Sequence, residues 1–112
     1  MWRAAWGADW QGDLGAILAR SLVHAGAFDE DRLVGYVNVA WDGGQHAFLL
    51  DTSVHPDFQR KGVATALVRL VTDAARTRGA TWLHVDYERH LDGFYKSCGF
   101  RPTAAGLINL TR

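Results

Sequence analysis

Three short apolar runs, separated by polar turns, occupy residues 21–54. Residues 21–28 read as a strand, with Asp29-Glu30-Asp31 as the turn that follows. In residues 33–41, Leu33, Gly35, Val37 and Val39 fall on one face and Val34, Tyr36 and Asn38 on the other. That is the two-residue period of a strand. Asp42-Gly43-Gly44 is a hairpin turn. Gln45 or His46 opens a third strand, Ala47-Phe48-Leu49-Leu50-Asp51-Thr52-Ser53-Val54. The three strands predict an antiparallel meander.

After this meander the period changes. Val63, Leu67, Leu70, Val71 and Ala74 mark one face of a helix, with Arg76 and Arg78 in its last turn and Gly79 just beyond. Residues 81–86 read as a short strand. Strand, helix and strand in this order imply a right-handed parallel crossover. Residues 91–98 predict a short helix closed by Gly99, and Phe100 with residues 106–110 the last strand or two. At the other end, Trp2, Trp6, Trp10 and Leu14 recur every four residues, as on one helical stripe, with Asp9 as an N-cap for a segment reaching Arg20. Such a stripe packs against a sheet or meets a partner. The expected fold class is α/β: one domain over residues 1–112, with a mixed sheet, antiparallel first and parallel around the strand-helix-strand unit, and helices packed on it.

Composition narrows the function classes. Lys+Arg and Asp+Glu each number 12, so the chain is formally neutral and lacks the basic excess of a general nucleic-acid binder. No apolar run is long enough to span a membrane, and the first residues do not read as a secretion signal. A single cysteine excludes an internal disulfide and fits a reducing, cytoplasmic compartment.

The candidate chemistry centres on Gln59-Arg60-Lys61-Gly62-Val63-Ala64, the turn between the third strand and the long helix. Gly62 lacks a Cβ, so backbone N–H groups at the helix mouth are free to close on an anion. Arg60 and Lys61 sit at the positive end of a helix dipole, where each costs about 0.3–1 kcal/mol. A bound polyanion reverses that sign; the bland reading is a basic exposed loop.

Gln-x-x-Gly-x-Ala between a strand and a helix resembles the acyl-CoA signature of the GNAT N-acetyltransferases. Val54-His55-Pro56 precedes it, as the family's Val-x-Pro does, and Phe94-Tyr95-Lys96-Ser97-Cys98-Gly99-Phe100 matches the block Phe-Tyr-x-x-x-Gly-Phe. Both motifs, in order and separated by one helix and one strand, make the resemblance specific from about Ala27 onward. The family's opening strand has no visible counterpart here.

The resemblance implies acetyl-CoA as cofactor and direct acetyl transfer to a primary amine of a small molecule or protein. The pyrophosphate would meet Gln59, Arg60, Lys61, Gly62, Val63, Ala64 and Thr65, and the pantetheine arm Thr52, Ser53 and Val54. Tyr95 stands where the family commonly protonates the leaving thiolate; as a core tyrosine it would only pack. Asp51, the only acid in its strand, is the candidate base, or else a structural hydrogen-bond acceptor. Asp86 and Glu88 are candidates for binding a cationic acceptor. Glu88 replaces an asparagine common in the family, which removes one expected cofactor contact. A metal site on His84, Asp86, Glu88 and His90 requires them to share one strand face, which an end near Asp86 prevents. Cys98 reads as a small buried residue. With no first strand, residues 21–28 would form an open edge, which together with the tryptophan stripe predicts a homodimer. The alternative to an enzyme is a non-catalytic CoA-binding or dimerising module.

Overall fold

A computed structural model describes residues 2–6 and 21–111. Five strands form one sheet in sequence order: β1 (Trp2–Trp6), β2 (Ser21–Asp29), β3 (Arg32–Trp41), β4 (His46–Val54) and β5 (Trp82–Val85). The first three pairings are antiparallel, and β4 with β5 is parallel. Helix α1 (Val63–Thr77) makes the crossover between β4 and β5, and the short α2 (Asp92–Ser97) follows β5. The mixed α/β sheet predicted from the pattern is therefore present, as are its meander, crossover and short helix.

The core lies between the sheet and α1. Val63, Leu67, Val68, Val71 and Ala75 of α1 are buried against Ala25, Ala27, Val37, Val39, Ala47 and Leu49. Gly35 makes this approach possible. A Cβ there would stand 3.0 Å from Val63 Cγ1 and 3.1 Å from Leu67 Cδ1. Those two methyl groups would have to give by a few tenths of an ångström to admit it.

Two expectations are corrected. Trp2–Trp6 is a strand paired with β2, from Trp2↔Asp29 to Trp6↔Ala25, not part of a helical stripe. A four-residue spacing keeps one face in a strand as well as in a helix, so Trp2 and Trp6 alone did not discriminate. Trp10, Leu14 and the segment from Asp9 to Arg20 lie outside the described residues. The edge of β2 that suggested a homodimer is thus already occupied by a strand of the same chain.

The second correction is at the C-terminus. Residues 106–110 form no strand, and Leu107, Ile108 and Leu110 are 87%, 81% and 91% exposed. Apolar content favours a strand only where a paired edge and a covered face exist together. No described element covers this run. Phe100 does join the core, edge-on to Tyr95 at 5.7 Å between ring centroids.

Candidate active site

The β4–β5 pairing sets the site. It runs from His46↔Trp82 to Leu49↔Val85 and then stops, although β4 continues to Val54. On its other side β4 pairs Leu50 with Asn38 and Ser53 with Tyr36, so Val37 faces both Asp51 and Thr52. This is a β-bulge, and Asp51 adopts φ +61°, where an aspartate is strained. The bulge ends the ladder with β5 and opens a gap between the two strands.

Two cavities occupy that gap. The first, of about 490 Å³, is lined by Asp51, Asp86, Glu88, Tyr87, Val85, Leu49, Leu50 and Leu107. The second, of about 550 Å³, is lined by Val54, Phe58, Gln59, Arg60, Gly62, Val63, Ala64, Thr65 and Phe94. Thr52, Leu91 and Tyr95 belong to both walls. The cavities therefore meet at a threonine and a tyrosine.

The loop entering α1 is built by local chemistry. The His55 imidazole accepts from the Asp57 N–H at 3.1 Å, capping the 3₁₀ turn Pro56–Phe58. The Gln59 side-chain amide donates to the Val54 carbonyl at 3.1 Å and ties the loop to β4. Gly62 then takes φ +82°, with nothing within 4 Å of where a Cβ would stand. Its glycine is required by this backbone angle, and the space above it is open. The first bond of α1 is Ala66 N–H to the Gly62 carbonyl at 3.0 Å, which leaves the N–H groups of Val63, Ala64 and Thr65 without a helical acceptor. Cations surround this mouth. Arg32 and Lys61 both stand over the Phe58 ring, at 5.5 Å and 5.3 Å from its centroid. An anion would find free donors, a dipole and positive charge here.

Of the ten cofactor candidates, eight line the second cavity; Ser53 and Lys61 do not. The Ser53 hydroxyl instead donates to the Asp51 carbonyl at 3.1 Å and braces the bulge. Gln59 acts through its bond to Val54, so its side chain shapes the loop. The candidates Asp51, Asp86 and Glu88 come together in the first cavity.

Tyr95 lies at the junction, only 6% exposed. Its ring is stacked on Tyr87 at 4.8 Å and meets Phe94 and Phe100 edge-on at 4.9 Å and 5.7 Å. The Tyr87 hydroxyl donates to Asp92 Oδ1 at 2.8 Å, and Lys96 Nζ holds Asp92 Oδ2 at 2.8 Å. Lys96 first, and the Tyr87 hydroxyl second, hold the Asp92 carboxyl below its ordinary range. The same bond to Asp92 raises the Tyr87 phenol. Tyr87, Asp92 and Phe58 escaped the sequence reading. The four-residue spacing of Asp92 and Lys96 was the available signal; nothing in sequence placed Tyr87 on Tyr95. Thr52 Oγ1, beside the junction, is buried without a hydrogen-bond partner.

The rival arrangements do not assemble. β5 ends at Val85, so His84, Asp86, Glu88 and His90 share no strand face. His84 Nε2 is 2.8 Å from His46 Nδ1, and His90 Nδ1 is 3.5 Å from Glu88 Oε2. Among the described residues no three His, Cys, Asp or Glu side chains converge for a metal. Cys98 is half-buried, and burial pushes its thiol up, away from a reactive thiolate. No described helix is long and apolar enough to cross a membrane.

Comparison with known proteins agrees with this geometry. The mycothiol acetyltransferase of Mycolicibacterium smegmatis is 32% identical over 56 residues, 50% of this chain and 19% of that protein. An uncharacterised N-acetyltransferase of Pyropia yezoensis is 29% identical over 69 residues, 62% of this chain and 40% of that protein. The chain thus aligns with less than half of either relative. The solved structure of a GNAT family acetyltransferase from Streptococcus pneumoniae TIGR4 superposes with a TM-score of 0.80 at 25% identity, covering 98% of this chain and 99% of that one. The model of the acetyltransferase (GNAT) family matches residues 1–100. With that match spanning most of the chain, and the bulged strand, glycine loop and crossover helix in place, this protein belongs to the GNAT acetyltransferase family.

Proposed function

We propose that this protein is an acetyl-CoA-dependent N-acetyltransferase that moves an acetyl group directly to a primary amine. The observation that carries this reading is the meeting of two cavities at Tyr95, one against the Gly62 loop and one lined by carboxylates. Bound acetyl-CoA would supply an activated thioester, so no covalent enzyme intermediate is needed. The free N–H groups of Val63, Ala64 and Thr65, with Arg60 beside them, would hold its phosphates. Thr52 and Val54, on the part of β4 that β5 leaves unpaired, would hold the arm that carries the thioester.

The remaining work is proton handling. The amine nitrogen forms the new C–N bond to the carbonyl carbon as the thioester C–S bond breaks. One N–H proton leaves the amine, and one proton must reach the departing sulfur. We assign the proton for the sulfur to the Tyr95 hydroxyl, whose ring is stacked on Tyr87. Asp51 is the acid nearest in sequence to the junction residue Thr52, and it is the group we assign to the amine proton, directly or through water.

The test combines calorimetry with acetyl-CoA and an assay of thiol release with primary amines. Acetyl-CoA binding is expected in parent and Tyr95→Phe alike. In the variant kcat should fall by about 10²–10⁴-fold. Binding without thiol release from any amine would assign the chain instead to a non-catalytic CoA-binding module.

A further inference from the structure

Tyr95 belongs to a helix of 6 residues, too short to hold a fixed orientation by its own hydrogen bonds. Its ring is placed by its neighbours. Phe94 lies on α2 and Phe100 just past the turn that closes it, so both edge-on contacts travel with the helix. Tyr87 is the described ring contact that comes from elsewhere, from the segment that follows β5. It is also the stacked one, with the two ring planes 26° apart.

Tyr87 is itself held at its far end. Its hydroxyl donates to Asp92 Oδ1 at 2.8 Å, and Lys96 Nζ holds Asp92 Oδ2 at 2.8 Å. Asp92 and Lys96 stand on α2, on either side of Tyr95 in sequence. The segment after β5 is thus joined to α2 twice, by a ring face and by a hydrogen bond. A stack alone lets two rings slide and turn in plane; the bond from a phenol to an ionised carboxylate stops both and is stronger than one between neutral groups. Two separated attachments fix an angle where one leaves a hinge.

Resting on the acetyltransferase reading, we propose that Tyr87 is a positioning residue: clamped through Asp92 and Lys96, it fixes the Tyr95 ring, and with it the direction of the Tyr95 hydroxyl. In the transfer the C–S bonding pair leaves with sulfur, the Tyr95 O–H bond breaks as the S–H bond forms, and the phenolate regains its proton from water. Tyr87 exchanges no proton in these steps. Its hydroxyl is engaged by Asp92, and its effect is orientation.

The test is a cycle on the full chain: Tyr87→Leu and Tyr95→Phe, separately and together. Tyr87→Leu removes the stack and the hydroxyl bond. It should lower kcat by about 10–100-fold, as a small misplacement of a reacting group does. Acetyl-CoA affinity, read by calorimetry, should change by less than about twofold. Tyr87→Phe keeps the stack and should recover most of the lost rate. Where Tyr95→Phe has already removed the donor, Tyr87→Leu should cost less than about twofold more, because its effect runs through Tyr95. A second readout needs neither cofactor nor turnover: by aromatic NMR, the Tyr95 ring should flip faster in Tyr87→Leu than in the parent. Should Tyr87→Leu not fold, Asp92→Asn keeps every ring and carries the same cycle, with a smaller loss of about three- to tenfold. Equal kcat in variant and parent, the full loss repeated in the Tyr95→Phe background, or an unchanged flip rate makes Tyr87 a packing residue while amine acetylation stands. No thiol release from the parent with any amine overturns the reading beneath it.

Discussion

Asp51 concentrates the tension between fold and chemistry in one residue. A left-handed backbone costs an L-residue about 1–2 kcal/mol, and Asp51 carries it at φ +61° in the middle of a strand. Its charge is also felt by Tyr36, whose phenol is raised first by burial and second by Asp51. Asp51→Gly would remove strain and carboxylate together. Since glycine gives back about 0.4–1 kcal/mol through the unfolded chain, stability in urea should stay level or rise by up to about 1 kcal/mol. Amine acetylation should still fall by about 10²-fold in kcat. Asp51→Asn, which keeps the side chain's size, should lose as much rate. Full kcat in both variants would make Asp51 a bulge residue only. The strain was illegible beforehand. The sequence marks an acid among apolar neighbours, but the register of β3 on β4 is what forces two residues opposite Val37.

At the scale of elements, α2 depends on charges it carries itself. Asp92 stands in its first turn and Lys96 in its last, joined at 2.8 Å, with Tyr87 bonded to the same carboxylate. The Asp92 carboxyl is held low, so its contribution to stability is present at neutral pH and is lost as pH falls through the folded value. The Lys96 ammonium is raised by Asp92, so its contribution is present below its ordinary pKa and is lost as pH rises through the folded value. Asp92→Asn should therefore lower Tm at neutral pH, and the gap to the parent should close on acidification below the carboxylate range. A gap that persists unchanged at acid pH would show that the effect is packing and not charge. The same variant loosens Tyr87, on which Tyr95 is stacked, so kcat should fall at neutral pH more than acetyl-CoA affinity does.

At the scale of the whole molecule, β1 closes one side of β2. β1 covers β2 along five paired residues, from Trp2↔Asp29 to Trp6↔Ala25. Removing residues 1–6 should uncover a nine-residue edge on β2 and promote association through it. Sedimentation at micromolar concentration should find the truncated chain more associated than the parent. Identical behaviour of the two would mean that β1 is not what protects this edge.

Much of the fold is a local matter. Apolar runs bounded by turns, with alternation in residues 33–41, set β2, β3 and β4 to within a residue or two, and the apolar period of Val63, Leu67 and Val71 set α1, because each element's pattern reports the face it must bury. Gly62 was legible because few residues tolerate its backbone angle, and the cradle after it follows from any helix start. Tertiary structure decided what no local pattern encodes. Trp2 and Trp6 satisfy helix and strand alike, and only the open side of β2 selects the strand. Residues 106–110 have the composition of a strand and lack a cover. Tyr95 carries its motif in sequence, but its place between two cavities depends on β4 and β5 parting after Leu49↔Val85. That parting comes from a bulge, a mismatch of count between two strands, and a mismatch exists only once the strands are paired.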